Sequence, residues 1–131
     1  VLLAGFLLPP VYGALAAGIG SALADVLAGY VQYAPATFII KALMVLSVWL
    51  IISAFRNKHK FISVICAGFV AETIMVLCYF GYEALILGYG LAAAGSILSN
   101  VMQGIIGIIA SSAIISAINK SKTLSDFFMK G

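Results

Sequence analysis

The class of this protein is decided by one stretch of sequence, ATFIIKALMVLSVWLIISAF at residues 36–55, which is followed by RNKHK at residues 56–60. The first part contains a single charged side chain, Lys41, and as a helix it is long enough to cross a hydrocarbon core of about 30 Å. The second part carries three basic side chains within five residues. The pattern predicts a transmembrane helix that ends in a basic loop.

The composition of the whole chain predicts the same class. The chain has 131 residues, of which 64% are hydrophobic and 8% charged, and its mean hydropathy is +1.21. An ordinary soluble domain has about 25% charged and 45–50% apolar residues, so a soluble core could not hide this much apolar surface. Soluble enzymes, DNA-binding domains and disulfide scaffolds are therefore excluded. We predict an all-α, polytopic transmembrane helix bundle that forms a single domain over residues 1–131.

Polar and turn-forming residues divide the chain into five apolar segments. Helices are expected in all of them, because an open strand leaves its backbone groups unpaired in lipid. Cys66 and Cys78 fall in the fourth segment, about 18 Å apart along a helix, so we predict that they form no disulfide. The segments are Val1–Leu8, Val11–Tyr30, Ala36–Phe55, Phe61–Leu87 and Leu91–Ile118.

The basic residues predict the orientation of these segments in the membrane. They cluster in the loop at 56–60 and in the tail at 119–131, and two predicted crossings separate the clusters. Short loops that are rich in Lys and Arg stay in the cytoplasm. We therefore expect a cytoplasmic loop and a cytoplasmic C-terminus, with the uncharged turns at 31–35 and 88–90 on the outer side.

Four ionisable residues fall inside the apolar segments, where each is costly unless it is paired or lines a wet cavity. Asp25 and Lys41 lie at similar depths on neighbouring segments. They either form an ion pair between two helices or face a ligand, and the sequence leaves both open. Glu72 lies near the middle of its segment, with no basic residue expected at its depth, and Glu83 lies farther along the same segment.

Helical spacing places polar residues of two segments opposite each other. Glu72, Val76, Tyr79 and Glu83 share one face of the fourth segment. Carboxylates, a phenol and carboxamides would form a pocket for a small, polar, ring-bearing molecule, with Trp49 available for stacking. The alternative is that these groups only hold the helices together. The fifth segment contributes Ser96, Asn100, Gln103, Gly107 and Ser111.

Small residues recur every four positions in the second segment. Gly13, Ala17 and Ser21 lie on this stripe, which lets helix backbones approach closely. The stripe is interpreted either as packing within the chain or as a docking surface for another membrane protein.

Motifs for catalysis are missing from the sequence. It contains no Gly-x-Ser-x-Gly and no His-Glu-x-x-His, and its two cysteines and one histidine lack the spacing of a metal site. We expect no catalytic residue, no metal site and no cofactor in this chain.

Several separated motifs resemble the substrate-binding S components of energy-coupling factor (ECF) vitamin transporters. They are PPVYGALAAGIGSALAD at 9–25, GY at 29–30, APATFIIK at 34–41, YFGYE at 79–83 and SNVMQG at 99–104. The resemblance implies a six-helix bundle in a bacterial plasma membrane, of which this chain would lack the first helix. It also implies capture of a vitamin from outside and docking on a membrane coupling protein with two ATPases, which would hold the ATP and Mg.

The resemblance further implies a substrate pocket and a cargo. The family pocket maps onto Lys41, Glu72, Tyr79, Glu83, Asn100 and Gln103. The small stripe at Gly13, Ala17 and Ser21 is the remaining candidate for docking. The pattern looks most like members assigned to hydroxymethylpyrimidine or pyridoxine, followed by pantothenate. The alternative from another class is a structural or assembly subunit of the membrane.

Overall fold

Prolines and glycines set the ends of the helices in the computed structural model, which describes residues 1–55 and 60–121. Pro10 begins the first long helix and Pro35 lies in the first turn of the next, where a missing backbone N–H costs nothing. Gly29, with a φ of +86°, follows the end of the first long helix in a left-handed conformation that favours glycine. The helices are α1 (Leu2–Leu7), α2 (Pro10–Leu27), α3 (Ala34–Ala54), α4 (Lys60–Gly81) and α5 (Ala94–Lys120).

Two short irregular elements connect α4 to α5. A π-helical turn over Tyr82–Ile86 continues α4 directly, and a 3-10 turn over Gly90–Ala93 leads into α5. Gly88 and Gly90 between them have positive φ values of +74° and +55°. The connection therefore folds back tightly at the end of the bundle where the turn between α2 and α3 also lies.

Four helical stretches are long and apolar enough to cross a membrane: Pro10–Leu27, Ala34–Ala54, Ile62–Ile86 and Gly90–Ile118. No strand occurs within residues 1–55 and 60–121. The predicted all-α membrane bundle is thus confirmed, and each predicted apolar segment overlaps one of the helices. The free thiols of Cys66 and Cys78 agree with the prediction of no disulfide between them.

The core lies around α3, which packs against α1, α2 and α4, while α5 packs mainly on α4. Met44, Val45 and Val48 of α3 are almost completely buried, as are Ala67 and Met75 of α4. α3 is thus the central helix, and its side chains reach both α2 and α4.

Small residues allow the close approach of α2 to its neighbours. A Cβ added to Gly13 would lie 2.8 Å from the backbone oxygen of Ala4, and one added to Gly18 would lie 2.9 Å from the Phe38 ring. Ala17 is 7% exposed and packs in a cluster with Val45. The structure therefore places Gly13 and Ala17 in packing within the chain, so a docking partner could reach them only if α2 separated from α1 and α3.

The predicted basic loop and tail fall largely outside the described residues. Residues 56–59 and 122–131 are not described, Lys60 begins α4, and Lys120 ends α5. The cytoplasmic location of both segments stays a prediction.

Candidate ligand-binding site

One cavity, hereafter the main cavity, has a volume of about 430 Å³. It lies at the end of the bundle where the α2–α3 turn and the α4–α5 connection meet. A volume of this size falls within the range of about 300–1,000 Å³ that is typical of small-molecule sites. Its lining is mostly polar and consists of Ser21, Ala24, Asp25, Tyr30, Tyr33, Thr37, Lys41, Tyr79, Glu83, Ser96, Ser99, Asn100 and Gln103.

Tyr79 and Lys41 form the inner wall of the main cavity. The Tyr79 hydroxyl lies 2.8 Å from Thr37 Oγ1, and both side chains are buried. Lys41 is 7% exposed, its Nζ lies 2.9 Å from Met75 Sδ, and the same atom is 5.4 Å from the centre of the Tyr79 ring. The ammonium group is thus held by a weak sulfur acceptor and a cation–π contact, which leaves donors available to a ligand.

Glu83 lies on the opposite wall because α4 changes to a π-helical turn at this point. The residue is 6% exposed and accepts a hydrogen bond from the Ser96 hydroxyl in the first turn of α5. The turn is closed by a hydrogen bond of 3.0 Å from the Leu87 N–H to the Tyr82 carbonyl. π-helical turns of this kind occur frequently at functional sites, and here the turn directs a carboxylate into the cavity wall.

Tyrosines surround the mouth of the main cavity. The rings of Tyr30 and Tyr33 meet edge to face with centroids 6.2 Å apart, and the Tyr33 and Tyr82 rings are 6.0 Å apart. The Tyr82 hydroxyl donates a hydrogen bond of 2.5 Å to the Gln32 carbonyl, which ties the two connections together. Burial, with the nearby Glu83 and Tyr89, raises the pKa of Tyr33 to about 12. The Tyr33 phenol is therefore neutral at physiological pH and offers the cavity both a donor and ring surface.

The structure brings most of the predicted pocket residues together in the main cavity and places Glu72 outside it. Lys41, Tyr79, Glu83, Asn100 and Gln103 line the main cavity. Glu72 lies seven residues, or about 10.5 Å along the helix, below Tyr79. It lines a second cavity of about 290 Å³ instead, which it shares with Lys41 and Gln103.

Glycines of α5 explain the position of Glu72. A Cβ added to Gly104 would lie 3.0 Å from Glu72 Oε2, and one added to Gly107 would lie 3.3 Å from Oε1. The carboxylate therefore packs directly against the α5 backbone. Lys41 interacts electrostatically with Glu72, although the sequence suggested no basic residue at this depth.

Asp25 and Lys41 do not form the ion pair that their depths allowed. No salt bridge joins them within the described part of the chain, and Asp25 Oδ2 is buried there without a hydrogen-bond partner. Both residues line the main cavity. The structure thus favours the second interpretation, in which they face a ligand site.

Sequence reasoning offered a ligand-facing Asp25 as one of two alternatives and missed the other contributions of α2 and of the α2–α3 turn to this site. The polar spacing of Ser21 and Asp25 on α2 was a usable signal, but Ser21 was assigned to a docking surface. Trp49, suggested for stacking, is 40% exposed and lines neither the main cavity nor the second cavity. The lining residues that the sequence analysis did not place near a ligand are Ser21, Ala24, Tyr30, Tyr33, Thr37 and Ser99.

The chemistry of the main cavity suits reversible binding of a polar molecule. Hydroxyls, carboxamides, carboxylates and an ammonium group offer both donors and acceptors, and tyrosine rings offer flat apolar surface. Among the described residues, no group of three or more His, Cys, Asp or Glu side chains could hold a metal ion. That the chain needs no cofactor stays a prediction.

Membrane-spanning helices around a ligand-sized polar cavity define a multi-pass membrane protein of the transporter type. The family model of the ECF-type riboflavin transporter S component matches residues 1–120. The chain therefore belongs to this family of non-enzymatic, substrate-binding subunits of vitamin importers. Neither a curated protein nor a solved structure matches the chain.

Family membership confirms the S-component resemblance, whereas the cargo subtype stays a prediction. The description of the matching family names riboflavin, so it does not support the expected hydroxymethylpyrimidine or pyridoxine subtype. Membership implies association with an ECF module and a small-molecule vitamin.

Proposed function

We propose that this chain captures riboflavin, or a closely related heterocyclic vitamin, in the main cavity and delivers it to an ATP-driven import module. The observation that carries the proposal is the main cavity itself, a polar site of about 430 Å³ in a chain of the riboflavin S-component family. The vitamin enters from the outer side of the membrane, on which the α2–α3 turn and the α4–α5 connection are predicted to lie.

The chemistry of riboflavin supports this choice of cargo. Its flat ring system carries carbonyl oxygens and an N–H group along one edge, and its side chain carries several hydroxyls. Tyr30 and Tyr33 at the mouth supply ring surface, whereas Asn100 and Gln103 supply carboxamides that pair with both donors and acceptors. Within the described residues, the carboxamides of Asn100 and Gln103 make no hydrogen bond to the protein, so they are available to cargo.

Hydroxymethylpyrimidine and pyridoxine are the second choice of cargo, favoured by the residue pattern at 79–83 and 99–104. Pantothenate is the third. All of these vitamins are small enough for the main cavity, so a direct comparison of affinities decides among them.

Delivery requires partners that this chain does not contain. A membrane coupling protein would receive the loaded chain, and two ATPases would bind ATP and Mg and hydrolyse the ATP. Because Gly13 and Ala17 are buried in packing within the chain, the coupling protein would contact other parts of the surface.

The proposal predicts that riboflavin stabilises the purified full chain. At a concentration of one hundred times its Kd, a ligand that binds only the folded state adds about 2.7 kcal/mol to the free energy of unfolding. Thermal unfolding and quenching of flavin fluorescence should both report binding. Gln103→Ala should weaken binding by tenfold or more, whereas Ser116→Ala, on the same helix but outside the main cavity, should not.

The same measurements test the alternatives. Tighter binding of hydroxymethylpyrimidine, pyridoxine or pantothenate than of riboflavin would change the assigned cargo and keep the importer. If none of the four stabilises the protein, the chain is better described as a structural or assembly subunit.

A further inference from the structure

Asp25 occupies the main cavity with an unused hydrogen-bond acceptor. It lies in the last turn of α2, and its Oδ2 atom is buried without a hydrogen-bond partner among the residues that the structure describes. A buried acceptor without a donor loses hydration that nothing in the protein replaces. A donor on the cargo would remove this cost, so Asp25 favours a ligand with an N–H or O–H group.

The other carboxylate of the main cavity is already satisfied by the protein. Glu83 accepts a hydrogen bond from Ser96, and Thr37 and Tyr79 bond to each other. Lys41 contacts Met75 and the Tyr79 ring rather than Asp25. Asp25 is therefore the carboxylate that remains available to a ligand in this cavity.

The charges of the main cavity also limit its ligands. Its lining contains two carboxylates, Asp25 and Glu83, one ammonium group, Lys41, and three tyrosines that are neutral as phenols. In the formal charge of the lining, acidic side chains exceed basic ones by one. A negatively charged cargo would meet net repulsion in a site that is partly shielded from water.

We infer that Asp25 determines specificity in the main cavity by accepting a hydrogen bond from the cargo and by disfavouring anionic relatives of that cargo. The inference rests on the proposed function and restricts the expected cargo to neutral or cationic heterocycles that carry a hydrogen-bond donor. It also makes pantothenate, which carries a carboxylate, a poor substrate.

The test uses a pair of ligands that differ by one phosphate group at one end. Riboflavin is neutral at pH 7, whereas riboflavin 5′-phosphate is anionic. The full-length chain is titrated with each of the two flavins, with pyridoxine and with pantothenate. Binding is followed by fluorescence and by thermal unfolding. We expect the wild type to bind the neutral compound of the flavin pair at least tenfold more tightly. Asp25→Asn keeps an acceptor oxygen but removes the charge, so it should weaken riboflavin binding about tenfold, because a hydrogen bond to a charged group is stronger than one to a neutral group. It should also narrow the difference in affinity between the two flavins.

Asp126→Asn is the matched control, since it removes a carboxylate of the same type from the sequence outside the described residues. It should change the affinity neither for riboflavin nor for riboflavin 5′-phosphate.

The inference would be overturned if the wild type bound the anionic flavin or pantothenate as tightly as riboflavin or more tightly. It would also be overturned if Asp25→Asn left the affinities unchanged. Either result would leave the proposed importer function intact. The comparison of neutral with anionic ligands in the wild type needs no substitution, so it tests the inference even if Asp25→Asn fails to fold. Absence of binding by all four compounds would overturn the proposed function together with the inference.

Discussion

Lys41 combines burial with a positive charge inside a membrane-spanning helix. Its ammonium group contacts Met75 Sδ at 2.9 Å and lies 5.4 Å from the centre of the Tyr79 ring, without a salt bridge to any carboxylate of the described chain. A charge placed in this way stabilises a fold poorly, because its desolvation is not offset by an ion pair. Lys41 lines both the main cavity and the second cavity, a position that suits ligand binding better than packing.

Replacement of Lys41 should therefore separate stability from binding. Lys41→Met keeps the approximate length of the side chain and removes the charge, so the free energy of unfolding should stay the same or rise by about 1–3 kcal/mol. Affinity for the cargo should fall by tenfold or more. Thermal unfolding without ligand and a cargo titration measure the two effects on the same preparation. A less stable protein with unchanged affinity would instead assign Lys41 to packing.

At the scale of helices, contacts of glycine with a neighbouring helix set the spacing in the bundle. Gly18 brings α2 against Phe38 of α3, and Gly104 brings α5 against Glu72 of α4. In lipid, where apolar surfaces gain little from meeting each other, such close packing is a main source of helix association. The contact of α2 with α3 also fixes one wall of the main cavity, since both helices line it.

Two glycines of α2 allow a matched test of this packing. A Cβ at Gly18 would lie 2.9 Å from the Phe38 ring and 3.0 Å from the Phe38 backbone oxygen, whereas a Cβ at Gly20 meets nothing within 4 Å. Gly18→Ala should lower the free energy of unfolding by about 1–3 kcal/mol through overpacking. Gly20→Ala should be neutral or raise it by up to about 1 kcal/mol, since alanine favours the helix. Thermal unfolding in detergent compares the two, and an equal effect of both would contradict the packing argument.

At the scale of the whole molecule, the four spans place the two ends of the bundle in different surroundings. The end with the main cavity carries tyrosines and uncharged turns, and the sequence of the opposite end carries the basic residues at 56–60 and 119–131. From the distribution of basic residues, we expect the main cavity to open to the outside. The proposed capture of a vitamin from outside requires this orientation.

Labelling of single cysteines in intact cells tests the orientation. In a variant whose Cys66 and Cys78 are replaced by alanine, Val31→Cys should react with a membrane-impermeant maleimide added outside, because Val31 is 59% exposed at the α2–α3 turn. Lys58→Cys, in the predicted cytoplasmic loop, should react only after the membrane is opened. The opposite pattern would reverse the topology and place the mouth of the main cavity in the cytoplasm.

Properties that depend on one stretch of chain could be predicted from the sequence. Hydropathy and turn residues predicted every helix to within a few residues of its observed ends, because a helix in lipid must satisfy its own backbone and show apolar side chains along its length. The polar residues of α3, α4 and α5 were found for a similar reason, since ionisable and amide groups are rare in such helices.

Properties that depend on how helices meet were decided by the tertiary structure alone. Glu72 and Tyr79 share a face of α4, yet two turns of depth and the close approach of α5 at Gly104 place Glu72 outside the main cavity. Asp25 joins that cavity because Gly18 lets α2 approach α3. Helix rotation and spacing arise from contacts between segments distant in sequence, and these contacts arranged the polar groups of single helices into one site.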